Sequence, residues 1–165
     1  MKQYLILMLA IALLAGCYSR EPEKTGKEGK PIPEFNLLLT DSTTWLNIGK
    51  SPTTNPIVLF YFSPVCPYCK AQTKEIIEDM DKLKDIQFYF ISSFPTPMLK
   101  AYIKEYKLAQ YPNITTGMDT ANAMGDYFEI VGVPYIAIYG KDKKLKKSFM
   151  GGKLYSSQIK RITEE

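Results

Sequence analysis

Two cysteines three positions apart, in Cys66-Pro67-Tyr68-Cys69, are the residues of this chain best suited to do chemistry. An apolar run, Ile57-Val58-Leu59-Phe60-Tyr61-Phe62, precedes them, and a helix-like stretch, Lys70-Ala71-Gln72-Thr73-Lys74-Glu75-Ile76-Ile77, follows. A buried strand would thus end in a turn that carries Cys-x-x-Cys at the start of a helix. There the first sulfur meets unpaired backbone N–H groups and the positive end of the helix dipole, which favour its anionic form. The second sulfur sits one turn on, on the same face, within range of a disulfide. This is the layout of a redox pair. Its redox group is the Cys66–Cys69 disulfide itself, with no further cofactor expected.

The bland alternatives are half of a zinc site and a pair of inert core cysteines. Zinc needs about four protein ligands, or about three and a water. The chain has no histidine, and its other cysteine, Cys17, is far away near the N-terminus. No metal is therefore expected. Three cysteines are also too few for a disulfide scaffold. A formal charge of +4 is too mild to suggest a nucleic-acid partner.

The elements that must position the pair can be read along the chain. Residues 34–40 read as a strand, Asp41-Ser42-Thr43-Thr44 as a turn, and residues 45–48 as the returning strand, with Trp45 expected in the core. Residues 57–62 are too apolar on both faces for an edge and belong in the sheet centre. Ile76, Ile77, Met80 and Leu83 form a stripe that extends the helix after the cysteines over residues 73–84. A strand over 86–91 follows, then a helix over 97–108 with Met98, Leu99, Tyr102, Ile103 and Tyr106 at helical spacing. A short strand at 113–116, a helix at 121–128 and a hairpin of 135–139 with 144–150 come next, and Ser156 would cap a last helix through Ile159 and Ile162. This succession predicts one α/β domain with a mixed sheet.

The N-terminal end has a different character. Met1-Lys2-Gln3 is a short basic start, and residues 4–15 are an apolar stretch too short for a comfortable permanent span. That layout reads as a secretory signal. Its ending, Leu14-Ala15-Gly16-Cys17, resembles the lipobox of bacterial lipoproteins. The resemblance implies that residues 1–16 are a signal peptide and that Cys17 is acylated and becomes the first mature residue. Lipid would then hold the protein on a bacterial membrane, facing the periplasm or cell envelope. Residues 17–33 are polar and broken by glycine and proline, and read as a flexible tether of roughly 50 Å when extended. Residues 34–165 form the folded domain.

From about Pro33 onward the chain resembles the thioredoxin superfamily, and within it the TlpA-like extracytoplasmic thioredoxins. The likeness rests on the hairpin before the Cys strand, on Cys66-Pro67-Tyr68-Cys69-Lys70, and on Val131-Gly132-Val133-Pro134 leading into Tyr135-Ile136-Ala137-Ile138-Tyr139. The stretch between Pro97 and Phe128 is similar to that subfamily's helix-strand-helix insertion, and Gly151-Gly152 also fits. The resemblance implies a thioredoxin-like fold, a cis peptide at Val133–Pro134 facing the cysteines, and a Val133 backbone free to pair with an extended substrate. Cys66 would attack a substrate disulfide and Cys69 would resolve the mixed disulfide. Tyr68, between the two, would touch the substrate. Partners would be disulfide-bearing secreted or envelope proteins and a membrane-bound or soluble thiol donor, with the protein acting as a monomer.

Three positions depart from the family's pattern. Phe60 stands where many thioredoxins have a buried Asp, Gln72 where many TlpA-like proteins have a Glu, and Val65 where the family usually has Trp. A carboxylate at such places takes the proton of the resolving thiol. Strong oxidants gain from a positive group beside the thiolate, and with no histidine the reading leans towards reduction or isomerisation. Two other functions compete with it. One is a non-catalytic lipoprotein that holds an extended peptide on the same scaffold. The other is a peroxidase of the peroxiredoxin type, which lacks support because no Thr-x-x-Cys surrounds Cys66. The lysine-rich run 141–147 reads as a hairpin turn and a protected edge strand, with anionic lipid or an acidic partner as its other use.

Overall fold

Strand β3 (Ile57–Tyr61) is apolar at every position because the sheet is covered on both faces, and all five of its residues are buried. The computed structural model describes residues 20–165. The readings of residues 1–16 as a signal peptide and of Cys17 as a lipidation site lie outside the described residues.

Seven strands form one mixed sheet. β1 (Asn36–Leu39) and β2 (Trp45–Asn47) make the N-terminal hairpin. β4 (Gln87–Ser92) and β5 (Ile114–Met118) run parallel to β3, and β6 (Tyr135–Tyr139) and β7 (Leu145–Met150) close the other side antiparallel. The order is β2-β1-β5-β4-β3-β6-β7, so β3 is interior, with Leu59 opposite Tyr89 on one side and Ala137 on the other. Because side chains alternate along a strand, Val58 and Phe60 join one core with Ile76, Leu83, Leu99, Tyr102, Ile159 and Ile162. Leu59 and Tyr61 join the other, with Met124, Phe128, Ile32 and Phe35.

Among the described residues, five helices cover these faces: α1 (Pro67–Glu78), α2 (Met80–Leu83), α3 (Thr96–Glu105), α4 (Ala123–Phe128) and α5 (Ser156–Thr163). The single helix expected over 73–84 is broken. Asp79 leaves helical geometry at φ −106° and ψ 20°, and its carboxylate is taken by the Ser156 hydroxyl and by Lys82. The helix expected to run to 108 stops at Glu105, and a left-handed Lys107 leads into a 3-10 turn, Leu108–Gln110. The helix expected from 121 begins at Ala123, where the buried Asp119 carboxylate accepts the N–H groups of Ala123 and Met124, each at 2.9 Å. Ser156 is not the cap of α5. Tyr155 takes that place, and Ser156 spends its hydroxyl on Asp79 and its N–H on Glu75.

Two further expectations are corrected. Trp45, expected in the core, is 56% exposed, because β2 is the edge of the sheet. Residues 20–33, expected as a free tether, lie along the outer edge of β7. Glu23 N–H donates to Ser148 O at 2.8 Å, Gly29 N–H to Leu145 O at 2.8 Å, and Leu145 N–H to Lys30 O at 2.9 Å. The lysine-rich hairpin strand is thus sheltered by backbone pairing as well as by its charge.

Candidate active site

The C-terminal end of β3 delivers the cysteines. Phe62 N–H still bonds Ile91 O at 2.9 Å, so the chain is held to β4 up to that residue. Ser63-Pro64-Val65 then turns it, and Cys66 N–H closes the turn on Ser63 O at 3.1 Å. Cys66 is the N-cap of α1 and Pro67 takes the first helical position, where a missing N–H is not missed. No acidic residue lies in the first turn of α1.

The two thiols are free and differ in access: Cys66 is half-buried and Cys69 fully buried. Burial pushes the Cys69 thiol up to about 12. A hydrogen bond from the Ser63 backbone opposes that rise, and the neighbouring Cys66 sulfur adds to it. The peptide Val133–Pro134 is cis, as the resemblance implied, and Cys66 Sγ lies 3.8 Å from Val133 O. Pro134 is buried and Val133 half-buried at the start of β6. Pro134 O accepts Gly151 N–H at 2.7 Å, which ties this segment to the end of β7.

Three apolar side chains stand out into solvent near these atoms in the chain: Val65 at 65% exposure, Tyr68 at 63% and Val131 at 86%. Of the residues expected to contact substrate, Val133 and Tyr68 are at the surface and Pro134 is beneath it. Val65 and Val131 are not among the contacts that sequence reasoning picks out. Val65 precedes Cys66 and Val131 lies two residues before Val133; their exposure is the signal, and sequence does not report exposure.

Beneath Cys69 the setting is reversed. Phe60 packs edge-on against Phe90 at 4.9 Å between ring centres and stacks on Phe62 at 5.4 Å. Gln72 is buried, and both ends of its amide hold the Leu154 backbone. Nε2 donates to Leu154 O at 2.9 Å, and Oε1 accepts Leu154 N–H at 2.6 Å. Thr73 and Tyr102 share a hydrogen bond of 2.7 Å, with the Tyr102 hydroxyl 3.5 Å from Cys69 O. None of the groups that shift Cys69 is a carboxylate. Thr73 and Tyr102 escape sequence reasoning as polar partners, because Tyr102 sits in an apolar helical stripe and reads as core. Among the described residues, no group of three or more His, Cys, Asp or Glu side chains is placed to hold a metal ion.

No family model matches the chain, and no curated protein matches it. Solved structures do. A secreted Mycobacterium tuberculosis disulfide oxidoreductase, homologous to E. coli DsbE, superposes with a TM-score of 0.65 at 16% identity, over 79% of this chain and 94% of that one. The thioredoxin domain of a thiol-disulfide oxidoreductase from Bacteroides vulgatus gives 0.65 at 15% identity, over 83% and 95%. A cysteine-to-serine mutant of peroxiredoxin 6 from Arenicola marina gives 0.70 at 17% identity, over 83% and 71%. The neighbours therefore include both disulfide exchangers and a peroxiredoxin, and agree on architecture. The chain has the thioredoxin fold.

Proposed function

We propose that the protein is a thiol–disulfide oxidoreductase, held by lipid at Cys17 on a bacterial membrane and facing the periplasm or cell envelope, that reduces or isomerises disulfides of secreted or envelope proteins. One observation supports this above the others. A reachable Cys66 sits at the start of α1 and faces the Val133 carbonyl, with Cys69 buried one turn behind it.

The Cys66 thiolate attacks one sulfur of a substrate disulfide. A Cys66–substrate disulfide forms, and the other substrate sulfur leaves as a thiolate that takes a proton. Cys69 gives up its proton and attacks Cys66. The Cys66–Cys69 disulfide forms, and the second substrate thiolate leaves. Two electrons have then passed from the pair to the substrate, and a thiol donor restores them. Val65, Tyr68 and Val131 offer apolar contact to the flanking substrate, and the Val133 backbone offers strand-like pairing.

With dithiothreitol as donor, the protein is expected to speed insulin reduction, and Cys66→Ser to return the rate to background. A wild-type rate at background sinks the proposal. A potential near −270 mV supports the reducing direction, and one near −120 mV reverses it. The scaffold alone is compatible with a peptide-binding lipoprotein that does no chemistry. Peptide binding unaffected by replacing both cysteines, in a protein without reductase activity, would favour that reading.

A further inference from the structure

The positive charge of this chain is concentrated on one edge of the fold, the edge on which the segment that begins three residues after Cys17 lies. The segment 20–33 carries four basic and three acidic residues, and the hairpin 141–147 five lysines and one aspartate. Together they hold a formal excess of five positive charges, more than the whole chain's +4. The two segments lie side by side, with Glu23 bridged to Ser148 and Pro31 to Lys144, both antiparallel. Some of the lysines are spent locally: Lys146 pairs with Asp142 and Lys147 with Glu165, and Lys143 donates to Asn55 O. Lys24, Lys30, Lys141 and Lys144 are exposed and make no ion pair among the described residues.

The antiparallel pairing fixes which end of the segment meets the membrane anchor. Its first described residue, Arg20, lies against Gly151 and Gly152. Both glycines have positive φ, +68° and +59°, and a Cβ on Gly152 would stand 2.9 Å from the guanidinium. A side chain there would displace the arginine. Three peptide links separate Arg20 from Cys17 and span at most about 11 Å. Lys30, Lys141 and Lys144 gather at the opposite end of the edge, beside the β6–β7 turn, and Lys24 lies between, next to the Glu23–Ser148 bridge.

We propose that this edge is a membrane-contact surface for anionic lipid. The acyl chains on Cys17 would attach one end and Lys30, Lys141 and Lys144 the other, laying the β7 edge along the bilayer. The proposal rests on the anchoring reading above. Each lysine near an anionic surface strengthens attachment roughly five-fold. The effect fades within about 10 Å at ordinary salt, so only a docked segment 20–33 can exploit it. A loose tether of roughly 50 Å would let the lysines drift beyond range. The same geometry positions the redox pair. Cys66 Sγ is linked through Val133, Pro134 and Gly151 to the arginine at the anchored end, within roughly 30 Å of its backbone by bond lengths alone. The reactive sulfur would therefore be held at a fixed reach from the anchor, at most about 40 Å from Cys17.

The test is lysine footprinting on the full-length lipoprotein in nanodiscs, read by mass spectrometry after brief acetylation. On discs of phosphatidylcholine with about one third phosphatidylglycerol, Lys24, Lys30, Lys141 and Lys144 are expected to react at least about three-fold more slowly than on phosphatidylcholine alone. Lys100, exposed on α3, should not change, and 0.5 M salt should remove the protection, given a Debye length of about 4 Å there. In Lys30→Glu/Lys141→Glu/Lys144→Glu the protection of Lys24 should be lost, while insulin reduction in detergent stays at the wild-type rate and shows that the variant folds. Equal labelling on both kinds of disc overturns the proposal, and so does protection that survives high salt or the triple substitution. The intact mass separates this from the anchoring reading. An unacylated mature chain overturns anchoring, whereas unprotected lysines on an acylated chain overturn the contact surface.

Discussion

The two ends of one helical turn give the two cysteines opposite surroundings. Around Cys66 the backbone is irregular and apolar side chains project into water, as at Val65, Tyr68 and Val131. Around Cys69 the packing is that of a protein core, with Phe60, Phe62, Phe90 and Tyr102 in ring-to-ring contact. The contrast separates capture from release. The outer thiol can be reached by a protein substrate. The inner one cannot, and among the described residues no carboxylate is one of the groups that shift its proton.

The largest expected effect breaks that division outright. In the Cys69→Ser variant, capture by Cys66 proceeds and resolution does not, so turnover falls to background while a covalent Cys66–substrate adduct accumulates. In Cys66→Ser, neither turnover nor adduct is expected. Non-reducing gels with insulin or a model disulfide peptide distinguish the two. An adduct formed through Cys69 in the Cys66→Ser variant would show that burial of the inner thiol does not restrict access.

Gln72 is the next place to probe the contrast. Its amide holds Leu154 through both a donated and an accepted bond. Gln72→Ala strands two buried backbone groups and is expected to cost about 3 kcal/mol of stability, read by urea unfolding. Gln72→Glu keeps the bond from Leu154 N–H but turns a carboxylate oxygen towards Leu154 O. That contact favours the protonated acid and raises its pKa. A smaller loss of stability is expected, together with faster resolution of the mixed disulfide at pH values above that raised pKa, where the ionised carboxylate gives Cys69 a proton acceptor. Slower resolution in Gln72→Glu would mean that the acceptor is not what the site lacks.

Much of the frame was legible in the chain. Residues 57–61 and 135–139 are apolar at nearly every position because both faces of those strands are covered, and no edge strand would tolerate that. The cysteine turn was legible as chemistry, since few other arrangements need two thiols at that spacing. What escaped depends on distant partners. Asp79 breaks the helix for the sake of Ser156, which is 77 residues away. Residues 20–33 have the composition of a disordered linker, yet they dock through backbone groups, which composition does not register. Trp45 looked like core because tryptophan usually is, and only the strand order reveals that its hairpin is an edge. The depth of Cys69 likewise depends on the aromatic packing of α3 beneath it.

A third effect is expected at high pH. The folded protein holds the Cys69 proton more tightly than the unfolded chain does, with the thiol pushed up to about 12 against about 8.5 unfolded. The resulting stability is complete below about pH 8.5 and declines as pH rises towards 12, by up to about 1.4 kcal/mol per pH unit. Burial raises Tyr135 to about 12 and shifts Tyr102 and Tyr139 in the same direction, so the slope should steepen above about pH 10. Urea midpoints from pH 7 to 11 test this. In Cys69→Ala the decline between pH 8.5 and 10 should flatten. Resolution should also accelerate about tenfold per pH unit between pH 6 and 9, since only the thiolate attacks.

The smallest effect addresses whether the polar pair below Cys69 belongs to the chemistry or to the packing. Tyr102→Phe removes one hydroxyl from a core that keeps its ring contacts with Phe62 and Tyr106. Thr73 loses its 2.7 Å partner, but in a helix its hydroxyl can turn to the carbonyl four residues back, which is that of Cys69. The Tyr102 hydroxyl itself is 3.5 Å from that carbonyl, too far for a strong bond. The expected cost is therefore about 1 kcal/mol of stability, with an unchanged pH profile for resolution. A resolving rate more than tenfold lower, at unchanged fold and pH-dependent in a new way, would mean that this hydroxyl reaches the sulfur in the mixed disulfide. The interior would then supply a proton path, and the two cysteines would differ less than their surroundings suggest.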